Sequence, residues 1–174
     1  ILRPYLANKS LLELGCGSGL LFNELSDSKI KKYIGIDWAP SAIDKAIVKF
    51  ESSAKLPPSK FIVGNFMDMD FPEFDVVVAL GVLDWLEIDE IDTLFSKTKS
   101  RKFLFSISEK RNSLNRWIHS LFIFLTYGWK NKGYVPKYYE VAEIIRVARN
   151  YGHNEVKIFR DPRMSFGAFI YQLD

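Results

Sequence analysis

Glu13-Leu14-Gly15-Cys16-Gly17-Ser18-Gly19 is the stretch that decides the fold. It follows the apolar run Ser10-Leu11-Leu12-Glu13-Leu14, which reads as a short strand, and it opens a helical stretch over 20–25. Glycines at such a turn let the backbone bend tightly and let a ligand approach without meeting a Cβ. Dinucleotide-binding loops use G-x-G-x-x-G, with helix N-terminal amides held against a pyrophosphate. Here the spacing is G-x-G-x-G, Leu20 takes the place of the third glycine, and Glu13 precedes the first. A carboxylate there repels a pyrophosphate but suits a cationic or amino-bearing ligand.

Further along the chain, strands and helices alternate. Residues 33–36 form an apolar run ending at Asp37. In the helix that follows, Ile43, Ala46, Ile47 and Phe50 lie at helical spacing. Pro40 sits where a first-turn proline is tolerated, and Ser41 with Asp44 offers capping chemistry. Residues 61–63 read as a short strand, and residues 74–80 as a longer one. The continuous Val76-Val77-Val78 is what a strand buried on both faces requires. A short helix over 88–96 leads to a strand over 102–107. Val141, Ile144, Ile145 and Ala148 mark a last helix, stopped by Gly152, and His153 in the turn after it reads as exposed. Strands over 156–159 and 166–172 close the chain as an antiparallel hairpin. This pattern predicts one α/β domain over 1–174, interrupted over about 108–135 by a stretch that does not read as a strand.

Composition narrows the function. A chain of 174 residues, 48% hydrophobic, buries enough surface to need no disulfide or metal staple. Its one cysteine, Cys16, has no partner for an internal disulfide, and zinc-ligand spacing is absent, so no metal is expected. No apolar run approaches a membrane span, and the sparse cysteine and missing signal peptide imply a reducing, cytoplasmic setting. The chain opens on Ile1 rather than methionine. The net charge of +3 is unevenly spread. Residues 1–96 carry 9 basic and 15 acidic side chains, residues 97–163 carry 15 and 5, and Asp174 completes the count. The basic half is either a solvated face or a surface for a negatively charged partner.

Residues 13–19 resemble the first motif of class I S-adenosyl-L-methionine (SAM)-dependent methyltransferases. The closest likeness is to their small-molecule, ubiquinone/menaquinone-biosynthesis-like branch. The resemblance implies a Rossmann-like, mostly parallel seven-stranded sheet of order 3-2-1-4-5-7-6, with helices on both faces and an antiparallel last strand. It also implies that Gly15, Cys16, Gly17 and Gly19 pack under the amino-acid part of SAM while Glu13 holds its ammonium group. In Gly35-Ile36-Asp37-Trp38 it gives Asp37 the ribose hydroxyls and sets Trp38 against the adenine. In Gly64-Asn65-Phe66-Met67-Asp68, Asn65 takes the adenine amino group and Phe66 flanks the ring, with Asp68 as the alternative partner. In the segment from Phe74 to Leu86 the backbone around Leu80 and Gly81 lines the methionine part. Four such motifs in order are a far stronger signal than any one of them. Relatives also carry helices before the first strand, so the N-terminal cover here is expected to be short, trimmed or disordered.

Methyl transfer from a sulfonium needs mainly an oriented, dry pocket, and a base only where the acceptor must lose a proton. The base candidates are Asp84, where relatives often carry His, and His119 on the aromatic segment 113–135. Asp84 also reads as a helix-cap carboxylate, and His119 as a packed or surface residue. The motifs of DNA amino-, cytosine-carbon, protein-arginine and metal-dependent catechol methyltransferases are all absent. The resemblance therefore implies a small organic or lipid-like acceptor and no nucleic acid, with S-adenosylhomocysteine as product. The basic, aromatic segment 113–135 lies in the stretch, about 108–135, where relatives carry a substrate-side insertion. It reads as an ordinary core or lid helix, as the wall of a pocket for an apolar, anionic acceptor, or as a peripheral membrane contact. An NAD-dependent oxidoreductase and a non-catalytic SAM-binding module are the rival readings.

Overall fold

Val76-Val77-Val78-Ala79 forms strand β4, and every residue of it is buried. Successive strand side chains point to opposite faces, so such a run needs cover on both sides. Val76 and Val78 join one apolar cluster, with Leu11, Phe22, Tyr33 and Phe50. Val77 and Ala79 join the other, with Leu12, Leu94, Phe105 and Ile144. The computed structural model describes residues 2–50, 57–71, 73–98, 102–110, 118, 121, 137–163 and 167–173.

The other strands are β1 (Ser10–Leu14), β2 (Lys32–Asp37), β3 (Ser59–Val63), β5 (Phe103–Ser108), β6 (Lys157–Phe159) and β7 (Gly167–Gln172). They form one seven-stranded sheet in the order β3-β2-β1-β4-β5-β7-β6. Strands β1 to β5 pair in parallel, and β7 runs antiparallel to both β5 and β6. This is the Rossmann-like arrangement expected from the sequence. Helices α1 (Leu20–Glu24) and α2 (Pro40–Phe50) put Phe22, Ala46 and Phe50 on one face. Helices α3 (Ile88–Lys97) and α4 (Val141–Asn150) put Ile91, Leu94, Ile144 and Ala148 on the other. Among the described residues no helix is long and apolar enough to cross a membrane.

One expectation is corrected. His153 is buried rather than exposed, its ring 4.8 Å from that of Phe103 and 5.8 Å from that of Phe95. The turn after α4 brings the chain back onto the sheet, where burial pushes the imidazole below its usual pKa.

Strand order reverses between β1 and β4, so the loops leaving their carboxyl ends diverge and open a crevice. The candidate site lies there.

Candidate functional site

The glycine loop is latched to the end of β2. Gly15 and Cys16 donate their amides to the Ile36 carbonyl at 2.8 and 3.1 Å. Gly17 donates to Asp37 Oδ2 at 2.8 Å, and Ala39 donates to Asp37 Oδ1 at 2.9 Å. Asp37 is therefore 9% exposed with both oxygens already accepting a backbone N–H. Its bond to Ala39 serves the start of α2, a task the sequence assigns to Ser41. The carboxylate reaches an amide ahead of Pro40, and no side-chain bond of Ser41 is found among the described residues. Beside Asp37 stands Trp38, 80% exposed. Gly17 has φ +52°, and a Cβ built on it meets nothing within 4 Å. The loop therefore presents bare backbone to open space next to an uncovered indole.

Glu13 lies beneath this loop, 4% exposed, and accepts a hydrogen bond from the Tyr33 hydroxyl at 2.6 Å. Burial pushes its carboxyl up to about 7, the Tyr33 bond works against that rise, and the charge of Asp37 adds to it. Cys16 is buried too, and burial with the charges of Glu13 and Asp37 pushes its thiol up to about 12. A thiol held protonated is packing material, not a nucleophile. Tyr33 is a site-supporting residue that the sequence reading passed over. The available signal was a phenol inside an apolar strand, whose hydroxyl must find a buried partner.

On the far side of β2, Asn65 Oδ1 accepts from the Met67 amide at 3.1 Å, and its Nδ2 donates to Asp68 Oδ2 at 3.0 Å. The two candidate adenine partners are thus joined to each other around a short 3₁₀ turn, Phe66–Asp68, with Phe66 packed against the core. After β4, Leu80 is half-buried, and the exposed Gly81 donates its amide to Ser106 Oγ at 2.7 Å.

Asp84 is half-buried, and both its oxygens accept from Ser108, Oδ1 from the amide at 2.6 Å and Oδ2 from the hydroxyl at 2.9 Å. The carboxylate therefore ties the loop after β4 to the end of β5. Asp84→Asn would set an amide N–H against one of those donors. We expect a loss of about 1–3 kcal/mol in urea denaturation; unchanged stability would restore Asp84 to the role of an uncommitted base. His119 lies outside the described residues, as does most of 113–135. Ile118 and Leu121, described within that segment, are helical and more than half exposed.

The residues fit SAM on their own chemistry. A carboxylate with lone pairs to spare suits ribose hydroxyls, a buried carboxyl with no cation beside it among the described residues suits an ammonium, and an uncovered indole suits a purine.

Comparison with known proteins agrees. A family profile described as a methyltransferase domain matches residues 11–101, just over half of the chain. The U6 snRNA methylphosphate capping enzyme Amus of Drosophila melanogaster is 26% identical over 112 residues, 56% of this chain and 37% of that protein. The chain thus spans little more than a third of that relative's length. Among solved structures, a magnesium protoporphyrin IX methyltransferase from Synechocystis PCC 6803 with bound SAH superposes with TM-score 0.70. Identity is 19%, covering 97% of this chain and 75% of that one. A SAM-dependent methyltransferase from Methanosarcina mazei reaches TM-score 0.72 at 17% identity, covering 98% and 94%.

Proposed function

Since the chain belongs to the family of methyltransferase domains, we propose that it transfers a methyl group from SAM to a small organic or lipid-like acceptor. The observation that carries this reading is Asp37, which pins the glycine loop through Gly17 and stands next to the 80%-exposed Trp38 at the crevice mouth. In this reading Glu13 attracts the ammonium group, and the bare backbone at Gly17 admits the methionyl part. Asp37 accepts the ribose hydroxyls, Trp38 covers the adenine, Asn65 or Asp68 takes its amino group, and backbone at Leu80 and Gly81 lines the far side. Bound SAM would supply a methyl on a sulfonium to an acceptor lone pair, with the carbon–sulfur bond breaking, S-adenosylhomocysteine as leaving group and any proton on the acceptor atom passing to solvent.

The proposed acceptor is apolar and carries negative charge. Residues 97–163, which enter and leave the insertion, carry 15 basic side chains against 5 acidic ones. Ile118 and Leu121 are exposed within the insertion, which suits an apolar ligand or a membrane surface.

Incubation with SAM labelled on its methyl group in a cell lysate, followed by fractionation, tests the acceptor. Label in the organic extract is expected. Label in RNA or protein would overturn the acceptor class and keep the activity, whereas no label beside tight S-adenosylhomocysteine binding would point to a non-catalytic module. Calorimetry should show S-adenosylhomocysteine binding and no NAD binding; the reverse would make the chain an oxidoreductase.

A further inference from the structure

We propose that Tyr33 is a positioning residue of the donor site, holding Glu13 so that a single proton on that carboxyl decides whether the donor's ammonium group is bound. This rests on the SAM reading above and adds to it a residue and a control.

The geometry is specific to this chain. In the β1–β2 register Leu11 faces Tyr33 and Glu13 faces Gly35, so the phenol must reach diagonally to the neighbouring strand, two residues along, to meet the carboxylate. It can do so because position 35 has no side chain. A Cβ at Gly35 would stand 2.7 Å from the Tyr33 hydroxyl and 2.8 Å from Cys16 Sγ. The ring itself is clamped, its centroid 4.3 Å from that of Phe22 and 5.5 Å from that of Phe61. Tyr33 is fully buried, so its hydroxyl has no water to turn to.

The groups that bear on the charge of Glu13 are Tyr33 from β2, Asp37 at the end of β2 and Cys16 in the glycine loop. None is a cation. An ionised Glu13 therefore has one donated hydrogen bond and a neighbouring carboxylate for company. A ligand ammonium is the missing counter-charge. Protonation removes the attraction for that ammonium, and the Tyr33 bond favours the ionised form. Removing the hydroxyl must move ionisation to higher pH.

The test is calorimetric titration of the full chain between pH 5.5 and 8.5 with two ligands. S-adenosylhomocysteine carries the ammonium, and methylthioadenosine lacks the amino-acid part. S-adenosylhomocysteine affinity should rise with pH and level off above a midpoint near 7, falling about ten-fold per unit below it. Methylthioadenosine should show no such slope. Tyr33→Phe should move the midpoint up by about a unit or more, and Glu13→Gln should abolish the slope. Labelling with 3-fluorotyrosine, which makes the phenol a stronger donor without disturbing packing, should move it down. This keeps the proposal testable even if Tyr33→Phe folds poorly. A pH-independent S-adenosylhomocysteine affinity, or a midpoint unmoved by either change at Tyr33, overturns the proposal. Failure of both ligands to bind at any pH overturns the SAM reading itself.

Discussion

Replacing Asp37 with alanine is expected to weaken S-adenosylhomocysteine binding by 100-fold or more while the two apolar clusters stay folded. A carboxylate offers about four lone-pair sites. The Gly17 and Ala39 amides take two of them, leaving two for the two hydroxyls of a ribose. Hydrogen bonds to a charged acceptor contribute roughly 1.5–3 kcal/mol each, so losing the ribose pair alone accounts for about two orders of magnitude. The same substitution frees the Gly17 amide and unlatches the loop, which adds to the loss. Calorimetry with S-adenosylhomocysteine, alongside circular dichroism of the unliganded protein, reads both effects. Asp37→Asn is a sharper probe than alanine, because its NH₂ would face one of the two amide donors. Retention of full affinity in either variant would remove Asp37 from the donor site.

The second large effect concerns stability. Glu13 titrates near 7 in the folded protein, against an ordinary value of 4.5. Between those two values the folded chain keeps a proton that the unfolded chain has released. Stability attributable to this group is therefore full below about pH 4.5, falls as pH rises to about 7, and stays low above it. The whole drop is roughly 3 kcal/mol. Glu13→Gln should remove it, leaving the unliganded variant more stable than the native chain at pH 8 though poorer at binding the donor. His153 acts in the opposite sense, because burial depresses its pKa and stability then rises with pH through the window below 6.5. The measurement is therefore the difference between native chain and variant in urea denaturation from pH 4.5 to 8. A difference independent of pH would show that Glu13 is not held in the environment described. The cost of an ionised, buried carboxyl falls on the unliganded protein, and in the proposed donor complex the ammonium group of the ligand would offset it.

Much of this was legible in residue order alone. The unbroken valines of β4 specify a strand covered on both faces, and the stripe of Ile43, Ala46 and Phe50 specifies which side of α2 packs. The glycine loop and Asp37 could each be placed at the end of a strand because both follow short apolar runs, whereas the adjacency of those strands came from the order that the family resemblance implies. What could not be read depends on reach across the fold. Periodicity tells which face Tyr33 occupies, but not that its hydroxyl crosses above Gly35 to Glu13. Asp84 gives no local sign of its attachment to Ser108, which lies on the next strand. The turn Tyr151-Gly152-His153-Asn154 looks polar and solvated, yet the imidazole ends between aromatic rings because of where α4 delivers the chain. Asp37 took the place of Ser41 as the support of α2 for a similar reason, since a carboxylate just before the helix can accept from the Ala39 amide that leads into it.

The short parallel bridge between Glu109 and Tyr139 joins the two described chain ends that flank residues 111–136. The Tyr139 amide donates to the Ser108 carbonyl at 3.0 Å, the Lys110 amide donates to the Tyr139 carbonyl at 2.8 Å, and the Lys137 amide donates to the Asp84 carbonyl at 2.7 Å. The Tyr139 hydroxyl also donates to the Leu86 carbonyl, and Lys137 pairs with Glu87. Residues 108–110 and 137–139 are thus stapled to one another and to the loop after β4. Closing a longer loop across fixed ends adds only about 0.6 kcal/mol for each doubling of its length. We expect that lengthening the chain between Lys110 and Lys137 by several residues leaves the stability of the sheet nearly unchanged, which urea denaturation would read.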